Sequence, residues 1–362
     1  MKTNATNERI KWKYFRFLKE SEGYDHATID EIAKAIARFE VSTGHKDFKA
    51  FHSEQAIAFK RKLAETTNTR TGEPLAKATQ LSTLRALKEF FRWLSREPGY
   101  KSRVEYSSAS YFGLPRKDVT IAQTRREKRV PTLAEIDRVL KAMPSSTIIE
   151  RRDRAIVAFA AVAKVRVSAL ASIRLADVNI AERHVYQDAR HVRTKASKSI
   201  GTDLVPVMGE ALQIVIDWHA ELTADPARRP ETPLFPSTAM ALDDQGAFKA
   251  AGLTLTEWKS TGPIREIFKH AFASANLPYF NPHSFRSAIV RHVMSLNLTP
   301  EAIKAVSQNL GHNDVETTFM NYGQVPGRRQ SEIIRALPDW RAPKPAVDKE
   351  ALLAQLASVL GK

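Results

Sequence analysis

The sequence predicts a mainly α-helical protein with a small antiparallel sheet, divided into two domains and a short C-terminal tail. Three observations lead to this fold class. Apolar residues recur at helical spacing through most of residues 5–112. Segments that alternate or carry β-branched residues are short and fall together between 184 and 207. The chain has 362 residues, which is long enough for two domains and a sizeable core.

The N-terminal domain, residues 1–112, is predicted to contain four main helices, at 8–20, 29–42, 54–65 and 79–97. Thr28 and Ser53 stand where N-caps of the second and third helix are expected. The fourth helix has the strongest pattern, with one apolar face made by Leu84, Leu87, Phe91 and Leu94. Pro98 and Gly99 then end it. We interpret the aromatic side chains of this helix as core packing.

Residues 113–131 are predicted to be a basic linker. Gly113, Pro115 and Pro131 punctuate this stretch, and 125–129 reads Arg-Arg-Glu-Lys-Arg. Two interpretations of the charge stay open, since the stretch could follow a DNA backbone or simply be a solvated tether.

The second domain is predicted to span 132–337 and to begin with a capping box, in which Thr132 caps a helix and Glu135 completes the box. A run of apolar residues at 155–163 indicates a buried helix. Residues 223–254 are expected to be rich in loops because prolines interrupt them. The other predicted elements are helices 133–143, 152–163 and 167–174, strands 184–188, 190–194 and 203–207, and helices 209–222, 262–276 and 299–310.

The composition limits the possible functions. A formal net charge of +16 indicates a polyanionic partner, most often nucleic acid. The chain has no cysteine, which excludes disulfides, a thiol nucleophile and a cysteine-based zinc site. The first twenty residues lack the apolar core of a signal peptide. The longest apolar run is shorter than the ~20 residues that cross a bilayer. We expect a soluble cytoplasmic protein.

Residues able to act on a phosphodiester lie along the second domain. His283 and Arg286 are three apart at a helix start and therefore share a face. His312 follows Gly311, the expected helix terminator, and Tyr322 lies between Asn and Gly. An arginine fork suits the developing charge of the phosphate. A phenol, whose pKa is about 10, needs a base or nearby cations to become a nucleophile.

Two further basic residues complete this set, although Tyr322, the His283–Arg286 pair and His312, each taken alone, are better explained by packing, capping or an ordinary surface position. Arg166 follows the buried helix, and Lys195 lies in a predicted turn between strands, where it could protonate a leaving oxygen. Together the residues are the parts needed to attack a phosphodiester without a metal or another cofactor.

The set resembles the tyrosine recombinases of the phage integrase family over about residues 130–335. The family's first box reads roughly Leu-Arg-x-Ser-Glu-Leu, and 165–170 reads Val-Arg-Val-Ser-Ala-Leu. Its His-x-x-Arg box matches 283–286, its Leu-Gly-His matches 310–312, and its Thr-Thr followed by tyrosine matches 317–322. Two positions depart from the pattern, because Lys164 replaces a common glycine and Ala169 replaces the usual carboxylate.

The resemblance implies a role for each candidate. Arg166 and Arg286 would hold the scissile phosphate, and His312 would donate a hydrogen bond to it. His283 would accept the proton of Tyr322, the nucleophile. Lys195, in the hairpin position of the family's lysine, would protonate the leaving 5′-oxygen, with Lys198 as the alternative.

The resemblance also implies the architecture and the reaction. A helical core-binding (SAM-like) domain and an α+β catalytic domain would form a C-shaped clamp around double-stranded DNA of the nucleoid. The enzyme would cut and rejoin DNA through a 3′-phosphotyrosine and a Holliday junction, as a homotetramer on two sites. The alternatives are a type IB topoisomerase, or a non-catalytic DNA-binding regulator. The complete residue set argues against the regulator, which has no use for the phenol.

The tail, residues 338–362, is predicted to be a proline-containing spacer followed by a short helix at 348–360. The helix has an apolar stripe formed by Leu352, Leu356, Val359 and Leu360. A helix this short is marginal in water alone, so its stripe must be buried for it to form. It could dock on its own catalytic domain, or on a neighbouring protomer as in similar recombinases.

Overall fold

The computed structural model describes residues 3–69, 71–124, 129–206, 208–296 and 298–311. The chain divides into two compact units, 1–128 and 129–362. Both are built mainly from helices, with small antiparallel sheets in the second, as the sequence predicts. Within these described ranges, no helix is both long and apolar enough to cross a membrane.

The described part of the first unit forms helices α1 to α5, which span Ala5–Glu20, His26–Ser42, Ser53–Glu65, Lys77–Leu94 and Arg116–Gln123. The predicted N-cap Thr28 is wrong. Asp25 is the cap, since its carboxylate accepts a hydrogen bond from the Thr28 backbone N–H and the helix starts earlier. Ser53 is likewise the first helical residue, and His52 takes the cap position without a side-chain hydrogen bond.

Aromatic side chains form the core of the first unit, which confirms the interpretation of α4. Phe90, Phe91 and Leu94 are fully buried. The Phe91 ring stacks on Phe51 at 3.8 Å between centroids and meets the edge of Phe39 at 5.1 Å. Such ring pairs add packing energy beyond the burial of apolar area. The linker predicted at 113–131 contains α5, and an ion pair of 2.8 Å between Lys77 and Asp118 holds this helix to α4.

The second unit contains helices α6 to α12, which span Leu133–Ala142, Ile148–Ala163, Val167–Leu170, Gly209–Ala224, Gly262–Ser274, Pro282–Met294 and Pro300–Asn309. The capping box of Thr132 and Glu135 is confirmed at the start of α6. The apolar run 155–163 is the buried half of α7, which packs against α9 and α11 at the centre of the core.

A three-stranded antiparallel sheet lies beside this core, in the order β1 (Val178–Asn179), β2 (His184–Gln187) and β3 (Ile200–Asp203). The strand predicted at 190–194 is wrong, and the one predicted at 203–207 is displaced to β3. Asp188 explains the first error. Its carboxylate accepts hydrogen bonds from the backbone and the guanidinium of Arg190, and this local bonding holds a turn in place of a strand.

The predicted loop region 223–254 contains a second antiparallel pair, β4 (Thr238–Leu242) and β5 (Phe248–Leu253). The turn between them is made by Asp243, whose carboxylate accepts hydrogen bonds from the backbone N–H groups of Gln245 and Ala247. Gly246 completes it at a φ of 77°. The Asp-Asp-Gln-Gly sequence is the turn signal that could have indicated this hairpin.

Candidate active site

Arg286 connects three segments that are far apart in the sequence. It is 5% exposed. Its Nη1 donates a hydrogen bond of 2.8 Å to the backbone carbonyl of Lys164, 122 residues away, and its Nη2 donates one to the carbonyl of Leu310. A guanidinium has five N–H donors in one plane, so two carbonyls can fix that plane while the group can still bind an anion.

Helix α11 presents this arginine because its start and its rotation are both determined locally. The Asn281 side chain caps the helix by accepting a hydrogen bond from the Ser284 backbone N–H. Phe285 is fully buried, with its ring 5.1 Å from Phe268 and 5.8 Å from Phe272. The next residue, Arg286, is thereby directed to the ends of α7 and α12.

His283 lies in the first turn of the same helix, as the sequence predicts, but its environment differs from that of Arg286. His283 is exposed, whereas Arg286 is buried. The histidine is therefore at the solvent-accessible edge of the site, where an approaching substrate could reach it.

Helix α7 ends at Ala163, and its C-cap residue, Lys164, adopts a left-handed conformation with φ 54° and ψ 21°. Lys164 is 3% exposed. Burial and the nearby Arg286 guanidinium lower the pKa of its amine to about 8, while Asp203 acts in the opposite direction. The pattern of the first box did not identify this lysine as part of the site, because the family commonly has glycine here.

The residues of the first box, 165–170, follow Lys164 directly in the chain. Arg166 is half-buried at the N-cap of the short helix α8, and its carbonyl accepts hydrogen bonds from the Ala169 and Leu170 backbone N–H groups. Ala169 is itself buried in the apolar core. The usual carboxylate of this position is therefore replaced by a packed methyl group.

The end of α12 docks on strand β3. The Asn309 amide oxygen accepts a hydrogen bond of 2.6 Å from the Asp203 backbone N–H, and its amide nitrogen donates one of 3.2 Å to the Asp203 carbonyl. Gly311 has a φ of 67°, which confirms it as the helix terminator. A Cβ at Gly311 would lie 2.9 Å from Cγ2 of Ile200. His312 is the next residue along the chain.

Lys195 and Lys198 are both exposed on the loop between β2 and β3. The predicted position of Lys195 in a turn between strands is confirmed, although the strands have different bounds. The base of this loop is held by Arg193. Its backbone N–H donates 2.8 Å to Ser172 Oγ, and its guanidinium donates 3.0 Å to the Ala171 carbonyl.

A second contact that was not predicted holds the start of the same loop. The Asp177 carboxylate lies 2.8 Å from Nε2 of His191, and its other oxygen accepts a hydrogen bond of 2.8 Å from the Arg174 backbone N–H. The residues following the first box are therefore tied to the lysine loop at two points. The sequence held no signal for this pairing beyond the presence of the side chains.

The described residues therefore include only part of the predicted site. Arg286, the carbonyls of Lys164 and Leu310, and the first-box segment with Arg166 are brought together. His312, Thr317, Thr318, Tyr322 and the tail 338–362 lie outside the described residues. Within the described ranges, no group of three or more His, Asp or Glu side chains is arranged to hold a metal ion.

Comparison with known proteins gives consistent results. The model of the phage integrase family matches residues 130–327. The tyrosine recombinase XerC of Pelobacter propionicus is 25% identical over 278 residues, which cover 76% of this chain and 78% of the relative.

Similar solved structures include a lambda integrase dimer bound to a core site and a lambda integrase tetramer bound to a Holliday junction. The dimer superposes with a TM-score of 0.58 at 13% identity, covering 88% of this chain and 96% of the other. The tetramer does so with a TM-score of 0.54 at 13% identity, covering 88% and 79%. At this identity, the likeness concerns the fold.

Proposed function

Since the chain belongs to the phage integrase family, whose members break and rejoin DNA, we propose that it is a site-specific tyrosine recombinase acting through a 3′-phosphotyrosine and a Holliday junction. The observation that carries the proposal is the buried guanidinium of Arg286. It is held by the carbonyls of Lys164 and Leu310, with Arg166 two residues beyond Lys164. A preorganised arginine plane suits a phosphate whose charge grows in the transition state.

The chemical step would use the predicted residues as follows. Arg166 and Arg286 hold the scissile phosphate, and His312 donates a hydrogen bond to it. The Tyr322 oxygen attacks phosphorus while His283 accepts the phenolic proton. The bond to the 5′-oxygen breaks, and Lys195 supplies the proton to that oxygen, with Lys198 as the alternative donor.

The second step reverses the first on a new strand. The 5′-hydroxyl of a partner strand attacks the 3′-phosphotyrosine, which releases the phenol and forms a new phosphodiester. The covalent intermediate conserves the energy of the original bond, so we propose that neither ATP nor a metal takes part.

We assign residues 1–112 as the core-binding domain, 113–131 as the basic linker, 132–337 as the catalytic domain and 338–362 as the tail. The two domains would enclose double-stranded DNA, to which the net charge of +16 is suited. Four protomers would assemble on paired sites, with each tail docking on a neighbour. The enzyme would act in the cytoplasm, on the DNA of the nucleoid.

A trapping experiment tests this proposal. Genomic DNA fragments that carry nicks serve as the substrates. When the enzyme cleaves near a nick, the short strand that carries the 5′-hydroxyl dissociates, so rejoining is prevented. The covalent complex then accumulates, and its DNA can be sequenced. The wild-type protein should give an adduct on denaturing gels, and the Tyr322→Phe variant should bind the same DNA without one. An adduct formed by the Phe variant would disprove the assignment of the nucleophile, and relaxation of plasmids by monomers would favour a topoisomerase.

A further inference from the structure

The lysine at the end of α7 stands in an unfavourable place for a residue with a long charged side chain. Lys164 combines a φ of 54° with 3% exposure. Residues other than glycine rarely adopt the left-handed region, and lysine is rarely buried. The combination of a left-handed backbone with a buried charged side chain makes Lys164 an outlier, and such an outlier motivates a hypothesis of function.

The surroundings of this side chain indicate that function. The backbone carbonyl of Lys164 accepts a hydrogen bond from the Arg286 guanidinium. The charged groups that act on its side-chain amine are Arg286 from α11 and Asp203 from β3. The Asp203 carboxylate is itself 2.7 Å from Nδ1 of His184 on β2, and its side chain is 71% exposed. Arg166 lies two residues further on. Two buried cations therefore adjoin each other, and one of them can be neutralised by losing a proton.

We propose that Lys164 is an ionisable cation of the phosphate-binding site. In alkaline solution, where its amine is neutral in the free protein, a DNA phosphate held by Arg286 draws a proton from solvent onto that amine. This inference deepens the proposed function and depends on it. The phosphate brings a negative charge that opposes the effects of burial and of the neighbouring guanidinium. The ammonium formed is then next to the phosphate site while charge develops on the phosphate oxygens.

The protonation state of Lys164 in the free protein determines how DNA affinity changes with pH. Burial and Arg286 lower the pKa of Lys164 to about 8. Below that pH the amine is protonated with or without DNA, so binding does not depend on its titration. Above it the free amine is neutral, binding requires proton uptake, and DNA affinity falls as the pH rises. At pH 8.5 a group with a pKa of about 8 is roughly three quarters deprotonated.

Calorimetry of DNA binding in two buffers of different ionisation enthalpy measures the proton uptake directly. The protein carries Tyr322→Phe so that no cleavage occurs, and the probe is a mixed-sequence duplex. With Lys164 intact, the protein should take up roughly three quarters of a proton more at pH 8.5 than the Lys164→Met or Lys164→Arg variant. At pH 7 the difference should be close to zero.

Two controls separate charge from folding. Lys269→Met removes one exposed lysine, 62% accessible, from the same unit and should leave proton uptake unchanged. Lys164→Gly suits the left-handed backbone, so it should unfold at the wild-type temperature or above while lacking the proton uptake. Comparison with Lys164→Gly therefore shows whether Lys164→Met fails to bind DNA because it lacks the charge or because it has unfolded.

The outcomes are distinguishable. If the duplex binds and proton uptake is the same with Lys164 and with Met at this position, the inference is wrong while the recombinase proposal stands. If no variant binds DNA, the proposed function fails and the inference with it. In the Tyr322 enzyme, a 5′-bridging sulfur should not rescue cleavage by Lys164→Met. Rescue would make Lys164 the proton donor and overturn the purely electrostatic role.

Discussion

Gly311→Ala tests whether the close contact between the end of α12 and strand β3 shapes the site. The substitution has two costs. A left-handed φ of 67° costs an L-residue about 1–2 kcal/mol. The new Cβ would also lie 2.9 Å from Cγ2 and 3.0 Å from Cδ1 of Ile200, an overpacking that costs about 1–3 kcal/mol. We therefore expect about 2–5 kcal/mol of destabilisation.

Gly246→Ala is the matched control. This glycine is in the same unit at a φ of 77°, and no atom lies within 4 Å of the position that an added methyl group would take, so the variant should bear the backbone cost alone. Ile200→Ala removes the opposing atoms, and Gly311→Ala made in that background should cost only about as much as the control. The coupling between positions 200 and 311 should therefore be about 1–3 kcal/mol.

Urea unfolding of the full chain measures these differences, with hydrogen exchange of peptides from α7 and α12 assigning the transition to the second unit. Adduct formation should also fall, because Gly311 joins Leu310, a partner of Arg286, to His312. Equal destabilisation by Gly311→Ala and Gly246→Ala, or no coupling with Ile200, would refute the contact as the cause.

Three other predictions concern the proton donor, the DNA contacts and the tail. Lys195→Ala should lower cleavage by about a hundredfold or more, and a substrate with a 5′-bridging sulfur should restore it because thiolate leaves without a proton. If this substrate instead restores cleavage by Lys198→Ala, Lys198 is the proton donor. DNA binding should weaken with salt at a log–log slope near −9 if about ten phosphates are neutralised, and a flat response would contradict a clamp. Deletion of 346–362 should weaken tetramer assembly on paired sites with single-site binding retained, whereas unchanged assembly would remove the tail hypothesis.

Local sequence patterns determined much of the fold. The apolar face of α4, the capping box at Thr132 and the glycine that ends α12 depend on residues within about three helical turns of each other. Each was predictable, because helical periodicity and capping are short-range effects. The wrong N-cap at Thr28 and the false strand at 190–194 have the same origin, since a nearby aspartate offered the backbone a competing hydrogen bond.

The candidate residues were also identified from local motifs, but their assembly was not. Only the tertiary structure brings Arg286 to the carbonyls of Lys164 and Leu310, which are 122 and 24 residues away. It likewise decides that Ala169 is packed in the core and that Lys164 is a buried cation beside a guanidinium. A side chain's burial and charge environment depend on contacts between distant segments, and a linear pattern of residues does not contain them.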